Sequence, residues 1–229
     1  MLKPRKRITK KDLKEDKLVS MYFKTSEFFY QKKKYISWVV TGLVVLVAAG
    51  FIYFNNRSAD SEKATTSLGE ILRYYDKGEY QTAVNGIPEK NIMGLKDIVE
   101  NYGSTHDGDL AKFYLGNAYF LQGQYDEALK YFDDFGGSYP MLRSSAIAGV
   151  ASCHEAKGDH KKAAQYFEKA ASKSADNQLS PEYLHHAARN YALSGKKERA
   201  MELIKKLKKE FPTSTYVRDA DRMLAELSS

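Results

Sequence analysis

The sequence predicts an all-α protein: a solenoid of stacked helical hairpins preceded by one membrane-spanning helix. Three observations carry this expectation. No charged residue stands between Lys34 and Arg57, and the run YISWVVTGLVVLVAAGFIYF fills 35–54. Beyond it, segments with the same spacing of small, aromatic and glycine residues recur about 35 residues apart. Glycine or proline punctuates these segments where a helix would have to end.

The composition suits a folded domain, with 43% apolar and 28% charged residues. A single cysteine, Cys153, excludes an intramolecular disulfide. The net charge of +7 is unevenly placed. Residues 1–34 hold 12 Lys/Arg and 4 Asp/Glu, a net of +8, and the remainder holds 24 and 25, a net of −1. The basic character belongs to the tail. Nucleic-acid binding wants a basic face on the domain itself, so that class is disfavoured.

Taken in order, the first element is the tail, 1–34. Leu18, Tyr22 and Phe29 share one helical face, with Val19 and Phe23 beside it. Two readings stay open: an amphipathic helix on the inner leaflet with its lysines near anionic headgroups, or a plain solvated flank.

The second element is the apolar run. As a helix, its 20 residues span ~30 Å, the hydrocarbon thickness of a bilayer. Eleven of the 20 are Val, Leu, Ile or Phe, favouring insertion by at most about 3–7 kcal/mol. A core helix is the alternative, but core helices are rarely apolar on every face over such a length. Lys32, Lys33 and Lys34 flank its start, and Tyr35, Trp38 and Tyr53 lie near its ends, as membrane-interface anchors do. The lysines upstream, against only Arg57 and Lys63 downstream, place the N-terminus in the cytoplasm and send residues 55–229 across. The run exceeds a signal peptide's apolar core and lacks a small-x-small site after Phe54, so an uncleaved anchor is expected.

A polar linker, 55–62, then leads to the repeat domain, 63–229. AKFYLGNAYFLQGQYDEALKYFDDF aligns with SAIAGVASCHEAKGDHKKAAQYFEKA, so that Gly123, Ala128 and Phe132 fall on Gly158, Ala163 and Phe167. A third copy has Gly195, Ala200 and Ile204, and a degenerate first copy has Gly78, Tyr80 and Ala83. Within the best copy, Leu115, Gly116 and Tyr119 share one helix face. Gly123 ends that helix in a left-handed turn, Tyr125 and Asp126 restart the chain, and Ala128 permits a close crossing at Gly116. Phe132 fills the space beneath. Pro140 and Pro212 fall just after second helices, where proline cannot continue the turn. Pro88 cuts short the second helix of the first copy, and the stretch near 94–102 adds a helix. Residues 215–227 read as a capping helix, which such arrays need.

These residues resemble the tetratricopeptide repeat (TPR): a Leu-Gly pair, a Tyr three on, a Gly turn, an Ala, a Phe and a terminal Pro. The match is fullest over 115–140. The copy at 144–177 lacks the first-helix Gly and has His154 for Tyr, and the copy at 181–212 has Ala187-Ala188 for Leu-Gly. The layout of basic tail, single span, short linker and repeats is also similar to the YfgM-like family of bacterial inner-membrane proteins. That resemblance implies a periplasmic repeat domain, ancillary to the Sec translocon and periplasmic chaperones.

Chemistry is sparse. No phosphate-binding glycine loop is present, and Gly116 and Gly123 are packing and turn positions. None of the five histidines (His106, His154, His160, His185, His186) makes an i, i+4 carboxylate motif, so neither a metal nor a cofactor is expected. Cys153 next to His154 could be read as nucleophile and base, but neighbours on a helix point apart, and a small buried thiol is the simpler reading. No catalytic constellation emerges and no enzyme is predicted.

What remains is binding, on the concave wall that first helices present. By resemblance, groove positions are Phe113, Asn117 and Phe120 in one copy, Ala148, Ser152 and Glu155 in the next, and Glu182, His185 and Arg189 in the third. Asn117 matches a residue of peptide-carboxylate clamps, but the basic residues completing the clamp are missing. Phe113 and Phe120 offer an apolar groove, unless the helix near 94–102 covers them. The expected function is a membrane-anchored protein-interaction scaffold in the bacterial envelope serving Sec-dependent export or periplasmic chaperones. A scaffold for cell-division or outer-membrane assembly machinery is the alternative.

Overall fold

The computed structural model describes residues 10–174 and 178–228, with the side chains of 10–19, 52 and 141 left aside. The first nine residues of the basic tail, and the side chains of Leu18 and Val19, therefore lie outside the described residues. Ten α-helices and one short hairpin are present among the described residues. The chain divides into two compact units at Asn56–Arg57.

The first unit is helical from Lys10 onward, as part of α1 (Lys10–Tyr75). Its apolar stretch is long and apolar enough to cross a membrane, and none of it is buried within the molecule. Trp38 is 75% and Phe51 74% exposed, so this stretch of the helix packs into no core. Lys32 stands 5.6 Å over the Tyr35 ring, and Tyr53 packs edge-on against Phe54.

The second unit is the solenoid. Residues 55–62, read from the sequence as a linker, are helical and belong to α1. Ser, Asp and Asn tolerate a helix when nothing breaks it, and no Gly or Pro occurs between Phe51 and Ser67. Past that point the helix has a core-facing stripe, with Ala64, Leu68 and Ile71 buried. The chain reverses at Gly78 into α2 (Tyr80–Asn85). Next come β1 (Gly86–Ile87), a 3₁₀ turn over Pro88–Lys90 and β2 (Ile92–Met93), paired antiparallel. The sequence signals the helix break at Pro88 but not this hairpin. Asn91, left-handed at φ 55°, closes its turn.

The remaining helices are α3 (Leu95–Tyr102), α4 (His106–Leu121), α5 (Tyr125–Asp134), α6 (Pro140–Ala156), α7 (His160–Lys173), α8 (Ser180–Leu193), α9 (Lys197–Glu210) and α10 (Tyr216–Ser228). The hairpins α4/α5, α6/α7 and α8/α9 are the three copies seen in the sequence, and α10 is the cap. Gly78, Gly123, Gly158 and Gly195 all adopt φ between 74° and 78°, a region cheap only for glycine. Pro140 departs from expectation. α5 has ended by Asp134, and Pro140 instead opens α6, where its missing N–H costs nothing.

Three apolar clusters run along the array. Leu68 and Ile71 of α1 meet Val84, Leu95, Ile98 and Leu115. Ala128, Phe132 and Phe135 meet Ala146, Val150 and Cys153. Ala163, Phe167, Leu184, Ala187, Ile204 and Leu207 form the last, reaching Ala220 of α10. Small residues at Ala128, Ala163 and Ala200, all fully buried, let each second helix approach its partner. At Gly116 the close neighbour is the Phe132 ring rather than Ala128.

Candidate protein-binding groove

α4, α6 and α8 are the first helices of successive copies, and a groove of about 270 Å³ opens along them. Phe132 of α5 and Phe167 of α7 reach through from the second helices to form its floor. Phe113, Asn117 and Phe120 line it from α4, Ala148, Ser152 and Glu155 from α6, and Glu182 from α8. The structure thus gathers seven of the nine groove positions named from sequence. Ser145, Gly149, Tyr183 and His186 also line it. These four follow from the register of α6 and α8 but were not singled out.

One end is apolar. The Phe113 ring lies 6.0 Å from that of Phe132 and 5.8 Å from that of Phe135, and Phe120 lies 5.5 Å from Tyr125. Both remain half-buried. The added helix α3 does not cover them, because Leu95 and Ile98 pack instead into the cluster around Ile71 and Leu115. The middle offers acceptors. Asn117 Nδ2 donates to the Phe113 carbonyl at 3.1 Å, leaving its amide oxygen free to accept, and Ser152 Oγ donates to the Ala148 carbonyl at 3.0 Å. The far end is charged by Glu155, which accepts from Arg189 outside the groove in an ion pair, so the Arg189 charge is already engaged and does not complete a carboxylate clamp.

His185 and Arg189 depart from the expected groove. They line a second concavity, between α8 and α10, with Asp219, Arg222 and Met223. His185 packs its ring 5.4 Å from Tyr216 of α10. The repeat register places these residues on the side of α8 facing the following helix, and here that helix is the cap. His186, one residue on, takes the groove position. It is 4.0 Å from Glu182 at i, i+4, a pairing the sequence reading did not credit. Burial, then the charge of Arg189, push the His186 imidazole below its ordinary value. Its Nδ1 is buried without a hydrogen-bond partner, as is that of His185, which also favours the neutral ring. Among the described residues, no group of three or more His, Cys, Asp or Glu is placed to hold a metal.

Cys153 and His154 do not form a reactive pair. Cys153 is fully buried among Phe132, Ala146 and Val150, and burial pushes its thiol up to about 12. His154 turns away to stack on Tyr166, with ring centroids 5.4 Å apart. A thiol that stays protonated at neutral pH is a poor nucleophile.

Sequence reasoning missed a carboxylate clasp at the start of α4. Asp109 is buried and accepts from the backbone N–H of Gly136 at 2.8 Å and of Ser138 at 3.1 Å, with Lys112 Nζ 3.4 Å away. Burial raises its carboxyl, but those two backbone donors and the Lys112 charge outweigh it, and the net shift is downward. Beside it, Asp107 accepts from Tyr139 Oη at 2.6 Å and from Thr65 of α1. The clasp fixes the turn between α5 and α6, and hence the spacing of the groove's walls. Two aspartates at the start of a helix were the available signal.

Tetratricopeptide repeat family models match residues 110–134, 145–177 and 182–214. No curated protein matches the chain. Among solved structures, the chain is similar to a putative kinesin light chain of Podosopora anserina with nearly identical TPR-like repeats, at a TM-score of 0.55 and 18% identity, covering 73% of this chain and 86% of that one. A variant form of that same protein gives the same TM-score of 0.55 at 17% identity, with 73% and 85% covered. At such identity the likeness speaks for the fold alone. With the matched segments it shows that residues beyond the apolar helix form an all-α solenoid of tetratricopeptide repeats, an architecture that implies a protein-interaction scaffold.

Proposed function

We propose that this chain is a membrane-anchored scaffold of the bacterial cell envelope whose solenoid serves Sec-dependent export, binding translocon subunits or periplasmic chaperones. One observation carries the reading: an apolar helix with no buried face stands on the same chain as a repeat domain whose groove has contact residues but no reactive set. The flanking charge supports an N-in orientation. The groove supports a protein partner that brings apolar side chains to Phe113 and Phe120 and donors to Asn117 and Ser152.

The experiment has two arms. A single cysteine introduced at the exposed Thr213 in a Cys153→Ala background reacts with a membrane-impermeant reagent in intact spheroplasts if the solenoid is periplasmic. Protection there, with labelling only after lysis, contradicts the orientation. A photo-reactive residue at 117 in living cells then captures translocon subunits or periplasmic chaperones. Capture of septation or outer-membrane assembly proteins instead assigns the scaffold to a different machine.

A further inference from the structure

The solenoid carries its charge in two opposed blocks. Residues 57–156 contain nine Lys/Arg and fifteen Asp/Glu, a net of −6, whereas residues 157–210 contain thirteen and seven, a net of +6. The change is sharpest on the second helices. α5 carries Asp126, Glu127, Asp133 and Asp134 against Lys130 alone. α7 reverses this with four lysines against Glu168, and α9 has six Lys/Arg against three Glu.

These helices lie side by side, on the layer opposite the first helices. Arg199 of α9 pairs with Glu168 of α7, and Leu129 of α5 and Tyr166 of α7 pack against the same apolar cluster. Internal pairing consumes part of the charge, as in Lys157–Asp126 and Lys208–Asp221. Glu127, Asp133, Lys161, Lys205 and Lys209 are exposed and make no ion pair among the described residues.

A wall that is acidic on α5 and basic on α7 and α9 complements a copy of itself turned by a two-fold rotation. We infer that a second copy of this chain docks on this wall, with α5 of each protomer over α7 and α9 of the other. An acidic partner protein would find its match in the basic block and repulsion in the adjoining acidic block. A second copy satisfies both. Each exposed pair alone contributes little, so association rests on several pairs acting together and is sensitive to salt. The grooves lie on the other layer and stay open, so a pair presents two.

The test uses the full chain in detergent micelles, sized by sedimentation at ~50 mM and ~500 mM salt, where screening lengths differ several-fold. The wild type is expected as a dimer at low salt and a monomer at high salt. A Glu127→Lys/Asp133→Lys variant removes the acidic end, turning α5 from a net of −3 to +1, and a Lys161→Glu/Lys205→Glu/Lys209→Glu variant removes the basic end, turning α7 and α9 together from a net of +6 to zero. Each alone should lose about tenfold or more in association constant, and an equimolar mixture should recover part of it as a mixed dimer, in which one of the two contacts of α5 over α7 and α9 is restored. Recovery also shows that both variants are folded. A wild type that stays monomeric at low salt overturns the inference, as does a dimer that neither variant weakens. So does a monomeric wild type whose basic block binds phosphatidylglycerol vesicles instead.

Discussion

The ring of Phe132 lies 2.7 Å from the position that a Cβ on Gly149 would occupy. Phe132 belongs to α5, and Gly149 to the first helix of the following copy, so this contact couples one repeat to the next. A methyl group there must displace a ring already held by Phe113 and Gly116. Gly149→Ala is expected to cost about 1–3 kcal/mol of unfolding free energy, the range for overpacking a filled site. At Gly116 the same ring stands 3.0 Å from the virtual Cβ, so Gly116→Ala should cost less. Chemical denaturation checks the order, and Phe132→Leu should recover part of the Gly149→Ala loss.

Gly149 also marks a limit of the sequence reading. The repeat alignment puts Ala151, not a glycine, opposite Gly116, and the second copy looked deficient. The copy instead keeps its small residue two positions earlier, where the preceding Phe132 needs it. Self-similarity revealed the turn glycines because each repeats the same backbone conformation at the same spacing. It revealed Ala128, Ala163 and Ala200 because each sits at the same helix crossing. The hairpin over 86–93 has no counterpart in the other copies, so the period carried no information there. The exchange of His186 for His185 came from a register that is sound within a repeat but changes neighbours at the cap.

Asp109 should make stability depend on acid. Its carboxyl is lowered in the folded state, so the stabilisation is complete above the unfolded value, about 3.9, and is lost as pH falls through the lower folded value. Asp109→Asn removes the charge that Gly136, Ser138 and Lys112 all face. It is expected to cost about 1.5–3 kcal/mol at neutral pH, the scale of a hydrogen bond to a charged group. Urea midpoints measured from about pH 7 down to about pH 3 should show wild type and variant converging below about pH 4. A gap that stays constant over that range contradicts the assignment.

Cys153 should behave as a core residue. Its thiol should react with an aromatic disulfide reagent only after denaturant is added, because burial blocks access and keeps it protonated. Cys153→Ala should bind partners as the wild type does, with a stability loss of about 1 kcal/mol for the small cavity. Rapid labelling of the native protein would place the thiol at the surface.

The carboxylate-poor, aromatic end of the groove should decide affinity. Phe120→Asp puts a charge where Phe120 and Tyr125 now meet, and is expected to weaken partner capture at least about tenfold by removing an apolar anchor. Far-ultraviolet circular dichroism should stay unchanged, since Phe120 is only half-buried.

The central claim is that the wall of first helices is the working surface. Photo-reactive residues placed at 117, 152 and 155 in the groove, and at 130 and 165 on the outer helices, test it in one experiment in living cells. The account predicts that a partner other than a second copy of the chain is captured from the three groove positions and lost in the Phe120→Asp background. Capture of that partner from 130 or 165 alone, unaffected by Phe120→Asp, would contradict it.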